Sequence, residues 1–232
     1  MKKVIFVLAV LSLSSLALAE KNVIEIRGGY DLSSRTKFKD GDDSDSKKFV
    51  KNGFHLGAEY RREILTNFQI GAGLEYRLSK LDQPSDYSAK GLYYTFSDTY
   101  NYGDLTSVPL YITARYNFKN STEFTPYVKA NLGYAINSGK VDGITKYTNF
   151  SGVDTDVRDY KRKLKNGMFY GIGTGVEYKN FLVDLSYDIT YSKLDTQAYI
   201  YDGYYNTTTQ ENFESKFNTQ KLTLSLGYQF NF

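Results

Sequence analysis

The chain has 232 residues with no Cys, no Trp, one His and three Pro, against 19 Gly, 23 Tyr and 15 Phe, so 16% of it is aromatic. The missing Cys removes disulfides, thiolate metal sites, cysteine nucleophiles and a lipidated cysteine, and a single His removes paired-His zinc motifs, so neither metal nor cofactor is expected. A net charge of +3, from 29 basic and 26 acidic residues, is too even for a nucleic-acid partner, whose footprint is a clustered positive excess.

Met1-Lys2-Lys3 opens the chain, residues 4–18 are apolar apart from Ser12, Ser14 and Ser15, and Ala17-Leu18-Ala19 puts small residues at the cleavage positions. This predicts a secretory signal peptide over residues 1–19, because so short an apolar run fits an h-region and falls short of a spanning helix. Cleavage would remove two lysines and leave a nearly neutral chain over residues 20–232, read as one domain. No later apolar run approaches the roughly 20 residues of a transmembrane helix, so any membrane span has to be made of strands.

From Asn22 onward the pattern has period two, the spacing at which successive strand side chains face opposite ways. Eight such segments follow in order, over residues 24–32, 54–61, 68–78, 108–118, 127–136, 169–178, 181–191 and 221–232. In the first, Ile24, Ile26, Gly28, Tyr30 and Leu32 alternate with Glu25, Arg27, Gly29 and Asp31. Each segment has about the nine to eleven residues that cross a bilayer as a tilted strand. The connections over residues 33–52, 80–106, 138–166 and 193–217 are long and polar, whereas residues 62–67, 119–125 and the Lys179-Asn180 link are short. Strict alternation of long and short predicts an all-β fold: an eight-stranded antiparallel up-and-down transmembrane β-barrel with short periplasmic turns, four long extracellular loops and both termini periplasmic. Closure of an even ring leaves no unpaired edge in lipid.

A soluble barrel shares this period, and the two faces decide between them. The polar face pairs Gly with Arg and Glu, as bulky charged side chains crossing a narrow lumen require. The apolar face carries aromatics at both ends. Tyr60, Phe68, Phe118, Tyr178, Phe181, Phe230 and Phe232 mark the short-turn side, and Tyr30, Phe54, Tyr134, Tyr170 and Tyr191 the other. Two aromatic belts belong to two membrane interfaces. The lumen then receives Glu25, Glu59, Glu75, Glu177, Asp184 and Asp188 with Arg27, Arg61, Arg77, Arg115, Lys129 and Lys221. Charges withdrawn from water need partners, so these residues are expected to form an ion-pair network across the lumen. Eight strands enclose only enough room for side chains, which excludes a general diffusion pore built on roughly 16 strands.

Other motifs carry less. His55 stands on the predicted lumen face, where a lipid hydrolase would need it to activate a Ser, but no nucleophile motif accompanies it. Gly171-Ile172-Gly173-Thr174-Gly175 has the strand period and lacks phosphate-loop spacing. Asp40-Gly41-Asp42-Asp43-Ser44-Asp45 lacks the Gly and terminal Glu of a calcium loop. Arg158, Lys161, Arg162, Lys163 and Lys165 make the third loop basic, which suits either lipopolysaccharide phosphates or bulk water. Tyr93, Tyr94, Tyr100 and Tyr102 in the second loop and Tyr199, Tyr201, Tyr204 and Tyr205 in the fourth sit among Ser, Asn and Gly, a composition suited to binding surfaces.

The C-terminal alternation of Leu222, Leu224, Leu226, Tyr228, Phe230 and Phe232 resembles the assembly signal of Gram-negative outer-membrane barrels. With Ser107-Val108-Pro109-Leu110 leading to Ala114-Arg115-Tyr116-Asn117-Phe118, and Thr125-Pro126-Tyr127-Val128 leading to Gly133-Tyr134, the whole mature chain is similar to the small eight-stranded family of the OmpA membrane domain, OmpX, OmpW and the opacity proteins. The resemblance implies insertion by the barrel-assembly machinery, with Leu224, Leu226, Tyr228, Phe230 and Phe232 read as the signal, and residence in the bacterial outer membrane among lipid and lipopolysaccharide. Because the chain stops at Phe232, a periplasmic cell-wall-binding domain is not expected. The function expected is a non-enzymatic surface barrel that binds host or cell-surface ligands through its tyrosine-rich loops. A narrow OmpW-like channel for small compounds and a barrel-embedded lipid hydrolase are the alternatives.

Overall fold

A computed structural model describes residues 21–40, 43–47, 50–80, 87–91, 93–149 and 151–232, and the side chains of these except at residues 38–40, 43–47, 100, 102 and 141. The expected signal peptide lies outside the described residues. Within them the chain forms strands β1 (Asn22–Asp40), β2 (Asp43–Lys47), β3 (Phe54–Leu65), β4 (Phe68–Lys80), β5 (Tyr87–Lys90), β6 (Tyr94–Tyr102), β7 (Asp104–Asn117), β8 (Phe124–Ser138), β9 (Lys140–Asn149), β10 (Asp154–Leu164), β11 (Gly167–Tyr178), β12 (Phe181–Asp202) and β13 (Thr207–Asn231).

Eight of these close a ring of antiparallel pairs in the order β1-β3-β4-β7-β8-β11-β12-β13, with β13 returning to β1. They are the eight alternating segments of the sequence. Short turns join them at the end where the described chain begins and stops, and there Asn22 and Phe232 exchange backbone hydrogen bonds of 3.0 Å. Two of those turns use left-handed residues, Asn67 at φ 70° and Lys179 at φ 56°. Asn is among the residues that tolerate this region best, and the Asn67 N–H is held by Glu63 Oε1 at 2.9 Å.

The apolar side of each strand faces outward. Ile26, Leu56, Leu74, Ile112, Leu132, Ile172, Val183 and Leu226 are all exposed around the ring, while Glu25, Arg27, Glu59, Arg61, Glu75, Arg77 and Arg115 are buried inside it. This inverts the soluble rule, since a continuous apolar outer wall is stable only against lipid. Both aromatic belts lie on that wall, tied by ring pairs such as Tyr30 with Phe54 (5.0 Å), Tyr170 with Tyr191 (5.6 Å) and Phe124 with Tyr178 (4.8 Å).

The four long connections are mostly strand. β12 runs for 22 residues and β13 for 25, paired out to Asp202 and Thr207. On the far side of the mouth a sheet continues in the order β2-β1-β13-β12-β10-β9-β6-β5. Period two persists there, but polar residues occupy most positions on both faces, so the apolar–polar contrast that marks a strand in sequence fades. A bulge at Leu32 also changes the phase of β1. Asp31 pairs with Thr223 and Ser33 with Leu222, so the extra residue turns Ser34 and Thr36 inward and leaves Arg35 and Lys37 exposed.

Candidate functional site

The lumen is filled in tiers. In the middle tier Arg27 reaches Glu25 at 3.1 Å, Glu59 at 3.0 Å, Glu75 at 2.8 Å and the Tyr111 hydroxyl at 2.5 Å. Arg61 joins Glu25 at 2.6 Å, Glu59 and Gln69. Arg77 spans Asp188 and Glu75, each at 2.7 Å. Arg115 donates to Glu177 at 2.5 Å and lies 3.6 Å from the centre of the Tyr127 ring. Lys129 meets Asp184 at 2.9 Å, and Lys221 meets Asp31 at 2.6 Å. All twelve charged residues singled out in the sequence therefore sit in ion pairs, all but Glu177 deeply buried.

Asp31 adds a seventh acid to the six bases in these pairs. Its face was legible, but its partner was not: Lys221 lies 190 positions away along the chain and meets it through the β1–β13 register. Lumen tyrosines were also missed as members of the network. Tyr111 and Tyr127 cross the bore because Gly73 and Gly175 make room on neighbouring strands, where a Cβ would come within 2.6 Å and 2.5 Å of the respective rings.

Beyond the ion pairs, away from the termini, Val50, Leu105, Leu164, Leu194 and Phe217 form a buried apolar collar across the mouth. Each of the four connections contributes to it, and the fourth contributes two residues. These connections are long and polar in sequence, and none of the five residues was expected as core. Extending period two from Ser192 to Leu194 would have found one member. A void of only about 20 Å³ separates the collar from Arg77 and Lys221. At the terminal end a cavity of about 390 Å³ opens outward, lined by Glu63, Gln69, Asn117, Glu177 and Gln229 together with Val23 and Phe232.

The candidate nucleophilic site does not assemble. His55 Nε2 lies 3.2 Å from Ser225 Oγ, but both are buried and no described group pairs with His55 Nδ1 to orient the ring. Gly171, Gly173 and Gly175 are strand residues opposite Asp188, Ser186 and Asp184. The Asp40–Asp45 run falls outside the described side chains.

At the rim, hairpin tips present tyrosines. Tyr93 is 79% exposed, Tyr204 87% and Tyr205 71%. Asp202 Oδ1 accepts the Tyr204 and Tyr205 N–H groups at 2.9 and 3.2 Å, and the Gly203 N–H bonds Thr155 O at 2.8 Å, which fixes this tip against β10. Tyr94 belongs instead to the inner face, in a ladder with Tyr147 (5.8 Å), Phe96 and Tyr87. Tyr199 packs with Lys161 on the outer face, and the Tyr201 hydroxyl donates to Asn206. The side chains of Tyr100 and Tyr102 lie outside the described residues.

The basic stretch of the third connection divides between two faces. Pairing of Arg162 with Thr196 and Arg158 with Ile200 turns both arginines inward, where Arg158 meets Asp156 at 3.2 Å and Arg162 lies over Tyr160. Lys161 and Lys163 point outward. So does Lys165, which shares Glu214 with Lys193 at 2.6 and 2.7 Å. Those hydrogen bonds, from Lys165 first and Lys193 second, hold the Glu214 carboxyl at about 2.

A family model for the outer membrane protein beta-barrel domain matches residues 5–230. The chain is 28% identical over 244 residues to the uncharacterized protein PM1543 of Pasteurella multocida (strain Pm70), with 99% of this chain and 98% of that one covered. Among solved structures it is similar to Neisserial surface protein A, at 17% identity and a TM-score of 0.43, covering 92% of this chain and 100% of that one. It is likewise similar to OprG from Pseudomonas aeruginosa, at 14% identity and a TM-score of 0.46, covering 91% and 95%. The family match spans the strand ring and its apolar outer wall: the chain belongs to the outer membrane protein β-barrel family.

Proposed function

We propose that this is a non-enzymatic surface barrel, with both termini periplasmic, whose extracellular strand extensions bind ligands on host or neighbouring cells. The observation that carries this reading is the set of exposed tyrosines Tyr93, Tyr204 and Tyr205 at hairpin tips, two of them on a tip tied down by its own backbone. Aromatic area held rigid before binding loses little entropy on contact, which is how tyrosine serves paratopes. The ion pairs stabilise the anchor beneath. Leu224, Leu226, Tyr228 and Phe230, exposed along β13, and Phe232 just beyond it are read by the assembly machinery during insertion.

A narrow channel is less favoured, because a solute would have to pass both the Arg27 cluster and the apolar collar. Cells expressing the triple variant Tyr93→Ser, Tyr204→Ser and Tyr205→Ser are expected to lose most of the attachment gained with the wild-type barrel. Attachment equal to wild type, at equal surface amounts, would refute the binding role.

A further inference from the structure

The cavity at the terminal end is roofed by three side-chain amides whose orientation follows from their partners. Arg61 Nε donates to Gln69 Oε1 at 3.0 Å, and Arg115 Nε donates to Asn117 Oδ1 at 2.7 Å. A guanidinium only donates, so each of these amides has to turn its oxygen toward the arginine and its NH2 group away from it. Gln229 is turned the other way, because it donates to the Glu177 carboxylate, which only accepts. Its oxygen is the end left over. All three amides line the cavity and are nearly buried, at 8%, 5% and 3% exposed for Gln69, Asn117 and Gln229. No described group bonds to Gln69 Nε2, Asn117 Nδ2 or Gln229 Oε1, and none of these atoms is sealed from solvent, so they open on the cavity.

The charges around the cavity are unevenly matched. Glu177 is held by Arg115 and Gln229, and Glu63 by the Asn67 N–H at 2.9 Å and by Lys119 at 3.7 Å. Lys21, also on the lining, forms no ion pair with any described carboxylate. Above the roof, Arg61 and Arg115 polarise two of the amides through their oxygens, which strengthens the NH2 groups on the cavity side as donors. An unpaired ammonium, two such NH2 groups and one amide oxygen therefore face a space of about 390 Å³, a volume within the range of small-ligand sites.

We propose that this cavity binds the terminal carboxylate of a short peptide. The carboxylate accepts from Gln69 Nε2 and Asn117 Nδ2 with the Lys21 ammonium beside it, through charge-assisted hydrogen bonds. The last N–H of the peptide donates to Gln229 Oε1, and its final side chain meets Val23 and Phe232, the apolar part of the lining. The site uses none of the tyrosine tips, so it stands or falls separately from the surface-binding role.

The test uses the full mature barrel refolded in zwitterionic micelles and titrated with alanyl-alanine, with the side-chain NH2 signals followed by nitrogen-15 NMR. In the wild type the signals of Gln69, Asn117 and Gln229 are expected to shift together and saturate with a Kd of about 1 mM or tighter. The double variant Gln69→Glu, Asn117→Asp keeps an acceptor for each arginine and replaces both NH2 groups with carboxylate oxygens. Read from the Gln229 signal, it is expected to weaken binding by about tenfold or more. Lys21→Gln is expected to weaken it several-fold, and it carries the test alone if the double variant does not fold. No saturable shift in the wild type, or binding by either variant within about twofold of wild type, would overturn the site. Equal binding of the dipeptide with an amidated C-terminus would overturn the carboxylate as the recognised group, and acetate binding as tightly as the dipeptide would overturn the peptide as its source.

Discussion

Along β12 the wall places Val183, Leu185 and Tyr187 outside and Asp184, Ser186 and Asp188 inside. A few residues on, the same strand buries Leu194 and Ala198 and turns Lys193 and Gln197 outward. The backbone period is unchanged between the two regions. What changes is the solvent on each side: lipid outside and no bulk water inside for the first, water outside and the covered mouth inside for the second. The wall can keep charges only in its interior, where each needs a partner, and the extension can keep apolar groups only beneath its own strands. One strand therefore carries two opposite cores in series, one ionic and one apolar.

The sharpest way to break this contrast is to remove a hub of the ionic core. Arg27→Met leaves Glu25, Glu59 and Glu75 buried without their shared cation and is expected to cost about 3–5 kcal/mol. Urea unfolding of the barrel in lipid vesicles would read this as a large fall in midpoint. The apolar core should respond less. Phe217→Ala in the collar is expected to cost about 3 kcal/mol, the lower end for a buried aromatic, since the collar lies at the rim. Its loss should appear as faster hydrogen exchange in β12 and β13 beyond Tyr191, with the transmembrane part of both strands still protected.

The smallest effect expected is electrostatic and confined to the extension. Glu214, at about 2 against an ordinary 4.5, adds stability that is complete above about pH 4.5 and is lost as pH falls toward 2, because its depressed pKa favours the charged folded form. Glu214 lies on the exposed face of the extension, so the effect is local. Protection factors for the amides between Lys193 and Asp202 should fall across that window in wild type and stay level in Glu214→Gln. The same profile in both would remove the carboxylate from the account.

How much of this was legible follows from the same contrast. The wall could be read residue by residue, because lipid on one side and charge on the other give each strand from Ile24 to Phe232 two unlike faces. The lumen could be read as a set of charges but not as pairs: Arg77 with Asp188 and Lys221 with Asp31 depend on which strands are neighbours in the closed ring. The extension was read as loops because Thr207 to Lys216 and Lys140 to Thr148 are mostly polar, with too few apolar residues to mark one face as a core. The collar was hidden for a further reason. Val50, Leu105, Leu164 and Leu194 lie in four separate, mostly polar stretches, and only the sheet brings them together.

Planar-bilayer recording of the purified, refolded wild-type barrel tests the account most directly, because a lumen filled by ion pairs and capped by an apolar collar leaves no route for ions. The prediction is a steady baseline without discrete conductance steps across the applied voltage range. Reproducible single-channel steps from the wild-type protein would contradict it and make the lumen, not the tyrosine-bearing extension, the working part of the molecule.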